Sequence, residues 1–219
     1  VNALPSWELA YTRPSYADNP ALQAKVGDLE RYCLKQVREI LCVSTVTAKA
    51  LGRPNITVIP NGAADCFFSA DPGPCPIPEL NSGRWFGYVG GLQSWQGVEP
   101  FLDAYRRLAP DVPEIRFVLI SEGRPPRKLP ERVLFAGPVS QTQLPAVLRR
   151  LEFTVAPLLE TARNTVQGCC PVKMVESMAA GVPVLASNLA VCREWLQDGS
   201  EGLLVEPGDR RAWIQALYS

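Results

Sequence analysis

RWFGYVGGLQSWQGVEPFLDAYRRL, Arg84 to Leu108, is a short apolar run closed by glycines and followed by a segment of helical period. Val98, Phe101, Leu102, Tyr105 and Leu108 recur at the spacing of one helix face. The alternation continues downstream. EIRFVLIS reads as the next strand, RVLFAG as the third, FTVAP as the fourth, VPVLAS as the fifth and GLLVEP as the sixth. Helical patterns lie between them: in QTQLPAVLRRL, Leu144, Val147, Leu148 and Leu151 share a face, and RRAWIQAL begins a helix after a capping Asp209. Short, continuously apolar strands suit a sheet covered by helices on both faces. The βαβα series predicts an α/β fold, a Rossmann-like, doubly wound parallel sheet. Such sheets bind ligands at the carboxyl ends of their strands.

The stretch before Arg84 differs. ALQAKVGDLERYCLKQVREI predicts a helix, LCVS a strand, and NITVIPNG a second apolar run ending in a turn. DCFFSADPGPCPIPELNSG, rich in Pro and Gly, reads as a linker. The expected organisation is the tail of one α/β domain over residues 1–60 and a nearly complete second domain over 61–219. The chain starts at Val1 and stops inside the helical pattern RRAWIQALYS, which reads as a piece cut at both ends.

Composition narrows the function. The formal net charge of the 219 residues is zero, which gives no electrostatic case for a nucleic-acid partner. Seven cysteines without any C-x-x-C suggest reduced thiols of a cytoplasmic protein rather than a secreted disulfide frame. Histidine is absent, which excludes Ser-His-Asp and Cys-His catalysis within these residues and removes the commonest metal ligand. No Asp-x-Asp occurs, so the simplest carboxylate clamp for a metal on a diphosphate is missing.

GCCPVKMVESMAAGVPVLAS, Gly168 to Ser187, places a loop before a helix. Pro171 suits the first helical position, and Gly181 the position past the end. Val172, Val175, Met178 and Ala179 predict an apolar face, with Lys173 and Glu176 one turn apart on another. Free amides near Cys169, Cys170 and Val172 would point at a bound anion. Lys173 adds a positive charge, and Glu176 is an acceptor suited to a vicinal diol. The competing reading is a solvated Lys–Glu pair with cysteines as buried fillers.

These residues resemble the donor-binding segment of the retaining, GT-B-fold glycosyltransferases of family four. Other stretches agree in order: VIPNGAADCFF resembles the junction between that family's two domains, YVGGLQSWQGVEPFLDAYRRL its first strand, glycine loop and helix, and FVLISEG its second strand. VLFAGPVS and LPAVLRRLEFTVAP resemble the elements before the donor site, CREWLQDGSEGLLVEPGD the segment after it, and NALPSWEL the end of the acceptor domain. The resemblance implies a nucleotide-sugar donor, transfer with retention of configuration, and no metal. Glu176 would hold the ribose hydroxyls, the amides from Cys170 to Val172, Pro171 lacking one, would face sugar and diphosphate, Gly90 and Gly91 would pass the phosphates, and backbone near Gly137 and Val139 would flank the base. Lys173 and Glu176 are the expected catalytic side chains. The chain departs from the pattern at Gly168, where the family often has a glutamate, and at Gly91 and Gln96, where it commonly has an Arg and a Lys on phosphate. Lys173 is placed to compensate for one charge and Arg163 for another.

Other readings stand beside this one. The basic, Pro-rich loop EGRPPRKLPER, Glu122 to Arg132, is of a kind usually solvated; it would otherwise help an acidic or lipid-linked acceptor approach through peripheral membrane contact. Trp95 is expected to pack its loop onto the following helix. A nicotinamide dehydrogenase would use Glu122 on a ribose, but Gly87, Gly90, Gly91 and Gly97 do not form G-x-G-x-x-G. A nucleotide-sugar epimerase shares the architecture but generally draws on histidine. A degenerate, non-catalytic nucleotide-binding module is motivated by Gly168, Gly91 and Gln96.

Overall fold

The computed structural model describes residues 4–126 and 128–218. Asn2 and Ala3 of NALPSWEL, Arg127 of the basic loop and Ser219 therefore lie outside the described residues. The chain divides into two compact units. One comprises Val1–Asn61 with Thr161–Cys170, and the other Gly62–Glu160 with Pro171–Ser219. The sequence alone assigned residues 161–170 to the second domain; their contacts group them with the first.

In the first unit, three helices, α1 (Pro5–Thr12), α2 (Pro14–Ala17) and α3 (Pro20–Gln36), precede strand β1 (Ile40–Cys42), helix α4 (Thr45–Leu51) and strand β2 (Ile56–Val58). Each of the first three helices opens on proline, whose missing N–H costs nothing in a first turn. Asn19 caps α3 by accepting from the Leu22 amide at 3.0 Å, and Ser44 caps α4 by accepting from Thr47 at 3.0 Å. The strands pair in parallel with Ile40 opposite Ile56.

The returning segment forms a π-type turn at Arg163–Gln167. Its sequence reads as a loop leading to a helix, and within it Asn164 and Gln167 are fully buried. The turn is held to α1: Arg163 Nε donates to Glu8 Oε2 at 3.2 Å, and Gln167 Nε2 donates to the same oxygen at 3.4 Å.

The second unit carries six parallel strands, β3 (Arg84–Val89), β4 (Ile115–Ile120), β5 (Val133–Ala136), β6 (Thr154–Ala156), β7 (Val184–Ser187) and β8 (Gly202–Val205). Their order across the sheet is β5-β4-β3-β6-β7-β8. The helices are α5 (Val98–Leu108), α6 (Leu144–Leu148), α7 (Val172–Ala179), α8 (Ala190–Arg193) and α9 (Arg210–Tyr218). Each of the six strands predicted from Arg84 onward is present in this sheet. The reversal of order between β3 and β6 is the switch point at which open α/β sheets bind ligands.

Alternation along β4 shows why both faces are covered. Phe117 and Leu119 join an aromatic layer with Phe86, Phe101, Tyr105 and Trp213, while Val118 and Ile120 pack under Val147, Leu148 and Leu151. Phe86 lies 4.8 Å from Phe117 and edge-on to Tyr105 at 5.4 Å, the geometry aromatic rings prefer. Asp209 caps α9 through its carboxylate, which accepts from the Arg211 amide at 2.9 Å. Trp95 is buried, as a loop-packing residue should be.

Helix α7 differs from the expected apolar stripe. Its buried residues are Met174, Val175 and Ser177, whereas Val172 is 36% exposed. The helix is packed on more than one side, and Ser177 is satisfied there: its hydroxyl accepts from Thr154 Oγ1 at 2.9 Å and donates to the Lys173 carbonyl at 2.8 Å. Pro171 precedes the first helical residue rather than occupying it. Gly181 follows the helix at φ 76°, the left-handed position glycine fills without strain.

Candidate functional site

The carboxyl end of β3 turns at Gly90, whose φ of 140° is outside the range that side-chain-bearing residues adopt readily. A Cβ there would lie 3.1 Å from Lys173 Cε, 3.2 Å from Lys173 Nζ and 3.3 Å from the Tyr88 hydroxyl. The turn is thus pressed against a lysine from α7 and a tyrosine from β3. Lys173 Nζ donates to Tyr88 Oη at 2.9 Å and to Gln96 Oε1, and sits 4.4 Å from the centre of the Tyr88 ring. The Tyr88 hydroxyl donates in turn to the Gly91 carbonyl at 2.5 Å. Burial pushes the Tyr88 phenol up, so it stays protonated as that donor.

Gly90 and Gly91 also border a cavity of about 250 Å³ with Ser121, Glu122, Pro138 and Val139. Gly137 is next in chain to that wall and has open space above its Cα. Larger cavities in this unit, of about 650, 470 and 360 Å³, involve no sequence-predicted site residue. The first lies beside Arg106 and Arg132, and the second reaches the amino ends of the strands near Arg84 and Val184. The cavity of about 250 Å³ lies at the carboxyl edge, beside the convergent polar groups.

Glu176, one turn along α7 from Lys173, is half-buried. Its carboxyl is raised above the usual carboxylate range, first by burial, against the opposing effects of a hydrogen bond with Gln141 and of the Lys173 charge. The structure therefore brings Gly90, Gly91, Gln96 and Lys173 together, and it places Val139 on the cavity wall and Glu176 beside Lys173 on the same helix. Tyr88 is a site residue that sequence reasoning missed. The available signal was a phenol in an otherwise apolar strand two residues before a Gly-Gly pair.

The remaining expected residues, Arg163, Cys169 and Cys170, lie in the other unit. The Arg163 guanidinium, expected on phosphate, is committed to Glu8, and its side chain is only 16% exposed. Cys170 Sγ lies 3.9 Å from the Asn61 carbonyl, and both cysteines are half-buried. Gly168, φ 77°, packs on the first turn of α4; a Cβ there would meet the Thr47 amide nitrogen at 2.7 Å and Ser44 Oγ at 2.8 Å. The structure leaves no room for the glutamate that the resemblance would put at 168. Among the described residues, no group of three or more His, Cys, Asp or Glu could hold a metal ion, and no helix is long and apolar enough to cross a membrane.

Gly90→Ala is expected to weaken anion binding about tenfold, because it strains the turn and displaces the lysine behind it. Titration with nucleoside diphosphates, together with a melting curve, separates that effect from simple unfolding.

Solved structures of GT-B glycosyltransferases share the fold of this chain. Sucrose-phosphate synthase from Thermosynechococcus elongatus superposes with a TM-score of 0.73 at 20% identity, over 99% of this chain and 56% of that one. HepE of Anabaena, solved in complex with UDP-glucose, gives 0.65 at 16% identity, over 89% and 57%. The chain belongs to the family described as glycosyl transferases group 1, whose profile matches residues 83–219. Phosphatidyl-myo-inositol mannosyltransferase of Mycobacterium leprae is 29% identical over 178 residues, covering 78% of this chain and 45% of its own length. The lipopolysaccharide core mannosyltransferase LpsB of Rhizobium meliloti is 26% identical over 219 residues, covering 90% and 59%. The chain thus spans about half the length of these curated relatives.

Proposed function

We propose that the second unit binds a nucleotide-sugar donor, and that the whole protein is a retaining, metal-independent hexosyltransferase passing the sugar to an acceptor. The observation that carries this reading is the Lys173 ammonium, delivered from the first turn of α7 to the Gly90–Gly91 turn at the sheet's carboxyl edge. A helix N-terminus and a lysine together favour an anion such as a diphosphate. In transfer, negative charge develops on the leaving diphosphate, and preorganised donors of this kind stabilise it. Glu176 accepts from the ribose hydroxyls, and Gly137 and Val139 flank the base. Membership of the family and the fold it shares with HepE support the donor class.

The cysteine thiols play no part in this reading; the Val172 amide, in the first turn of α7, adds a donor for the anion. Calorimetric titration is expected to show saturable binding of one nucleoside diphosphate, with Cys169→Ser/Cys170→Ser within about threefold of the parent, since a lost weak thiol contact is worth under 1 kcal/mol. Binding of NAD with no response to UDP, GDP or ADP would overturn the reading in favour of a dehydrogenase.

A second reading has a specific observation behind it. Position 168 has no room for a carboxylate. A module that binds the nucleotide without transferring sugar fits that feature, and sugar transfer by the full-length protein eliminates it.

A further inference from the structure

The polar contacts around Lys173 are unusual for a surface lysine. Its Nζ is bound by a phenol from β3, 85 residues earlier in the chain, and by the amide oxygen of Gln96, 77 residues earlier. Both acceptors are uncharged, so they orient the ammonium without cancelling its charge. Tyr88 is fully buried and can accept from the lysine because its own proton is used on the Gly91 carbonyl. One phenol thereby ties the lysine to the backbone of the glycine turn. Gly90 leaves the space into which the lysine tip fits.

A lysine at this position has another option. Glu176 is three residues on, on the same helix, where a Lys–Glu pair forms readily. A flexible four-carbon stem would reach it at little cost. The Tyr88–Gln96 seat competes with that pairing. It keeps the charge at the turn, while the Glu176 carboxylate hydrogen-bonds with Gln141 and retains acceptor capacity beyond that contact.

We propose that Tyr88 and Gln96 are positioning residues that hold the Lys173 ammonium at the Gly90–Gly91 turn for the donor's diphosphate. This rests on the donor reading above. Their effect should fall on the diphosphate and not on the nucleoside. The position of the charge should matter more than which residue carries it. Since the Gln96 side chain already touches Nζ, a lysine at 96 reaches the same place once position 173 is emptied.

The test is titration of the chain with UDP, GDP and ADP and with the matching nucleosides. Tyr88→Phe and Gln96→Ala are each expected to weaken the bound diphosphate about fivefold to tenfold, the loss of one charge-assisted contact's orientation, and to leave the nucleoside unchanged. Lys173→Ala/Gln96→Lys should recover most of the affinity that Lys173→Ala loses. Diphosphate affinity unchanged in both single variants, or no recovery in the double variant, would overturn the proposal. Gln96 is only half-buried, so its variant reports even where Tyr88→Phe is too unstable to measure. Nitrogen-detected NMR of the lysine ammonium needs no ligand: a sharp Lys173 signal in the parent should be lost in either variant. Its absence from the parent, or its persistence in both variants, refutes the seat. A seat seen by NMR in a chain that binds none of the nucleotides refutes the donor reading instead.

Discussion

Gly97→Ala is expected to cost about 3–5 kcal/mol of the second unit's stability, the range of a severe backbone and packing defect. Gly97 joins the turn Ser94–Gln96 to α5 at φ 70° and ψ 14°. A side chain at that φ is strained in itself by about 1–2 kcal/mol. The larger difficulty is space: a Cβ would lie 1.8 Å from the Pro157 carbonyl oxygen, at the end of β6. That atom is backbone and cannot rotate away, so either the turn or the strand end must move. The Gly97 carbonyl accepts the Phe101 amide at 3.1 Å, so the first turn of α5 would move with it. Urea unfolding measures the effect, and a midpoint equal to the parent's would contradict the close approach of these two segments.

Glu176→Ala is expected to reduce nucleoside diphosphate affinity by about 10–100-fold, since hydrogen bonds to a charged acceptor are worth about 1.5–3 kcal/mol each. Glu176→Gln separates function from stability. Burial raises the Glu176 carboxyl in the fold, more than Gln141 and Lys173 lower it. A carboxyl raised on folding favours the fold while protonated. That contribution is fully present below the ordinary carboxylate pKa and is lost as pH rises through the raised one. At neutral pH the ionised group is therefore held at a cost, and Glu176→Gln should melt higher than the parent without ligand. The advantage should shrink as pH falls into the ordinary carboxylate range. Binding follows the opposite course: it should fail on acidification at a higher pH than an ordinary carboxylate would require. In the proposed donor site, an ionised carboxylate held for a diol at the expense of the empty fold is the stability–activity trade expected of a binding site.

Much of the second unit was legible because its signals are local. Six short apolar runs, five of them followed by helical spacing, specify a parallel sheet without any long-range information. The order β5-β4-β3-β6-β7-β8 is not written in any one stretch. It follows from crossover packing, which the runs do not encode one at a time. Helix α7 was read from Pro171 and Gly181, but its buried side was misassigned. Its burial is set by Thr154 and the neighbouring sheet, which satisfy a serine that the apolar pattern passes over.

The site was legible where one element carries it and hidden where separate elements meet. Lys173 and Glu176 share one helix and stood out by spacing. Tyr88 did not, because its partner lies 85 residues away. Arg163 was expected on phosphate from its charge and its loop. Glu8, 155 residues earlier, takes that charge instead. The segment Thr161–Cys170 reads as a loop leading into α7, and it folds around buried Asn164 and Gln167 as part of the other unit. Gly168 looked like a lost glutamate; the geometry shows a residue that the first turn of α4 requires to be glycine.

The most direct measurement is calorimetric titration of the chain with UDP, GDP and ADP, repeated on Lys173→Ala and Glu176→Ala. The account predicts saturable binding of one nucleoside diphosphate by the parent, weakened at least tenfold in both variants, about 1.4 kcal/mol or more. Binding that survives both substitutions unchanged, or no binding by the parent to any of the three, would contradict a donor site built on α7.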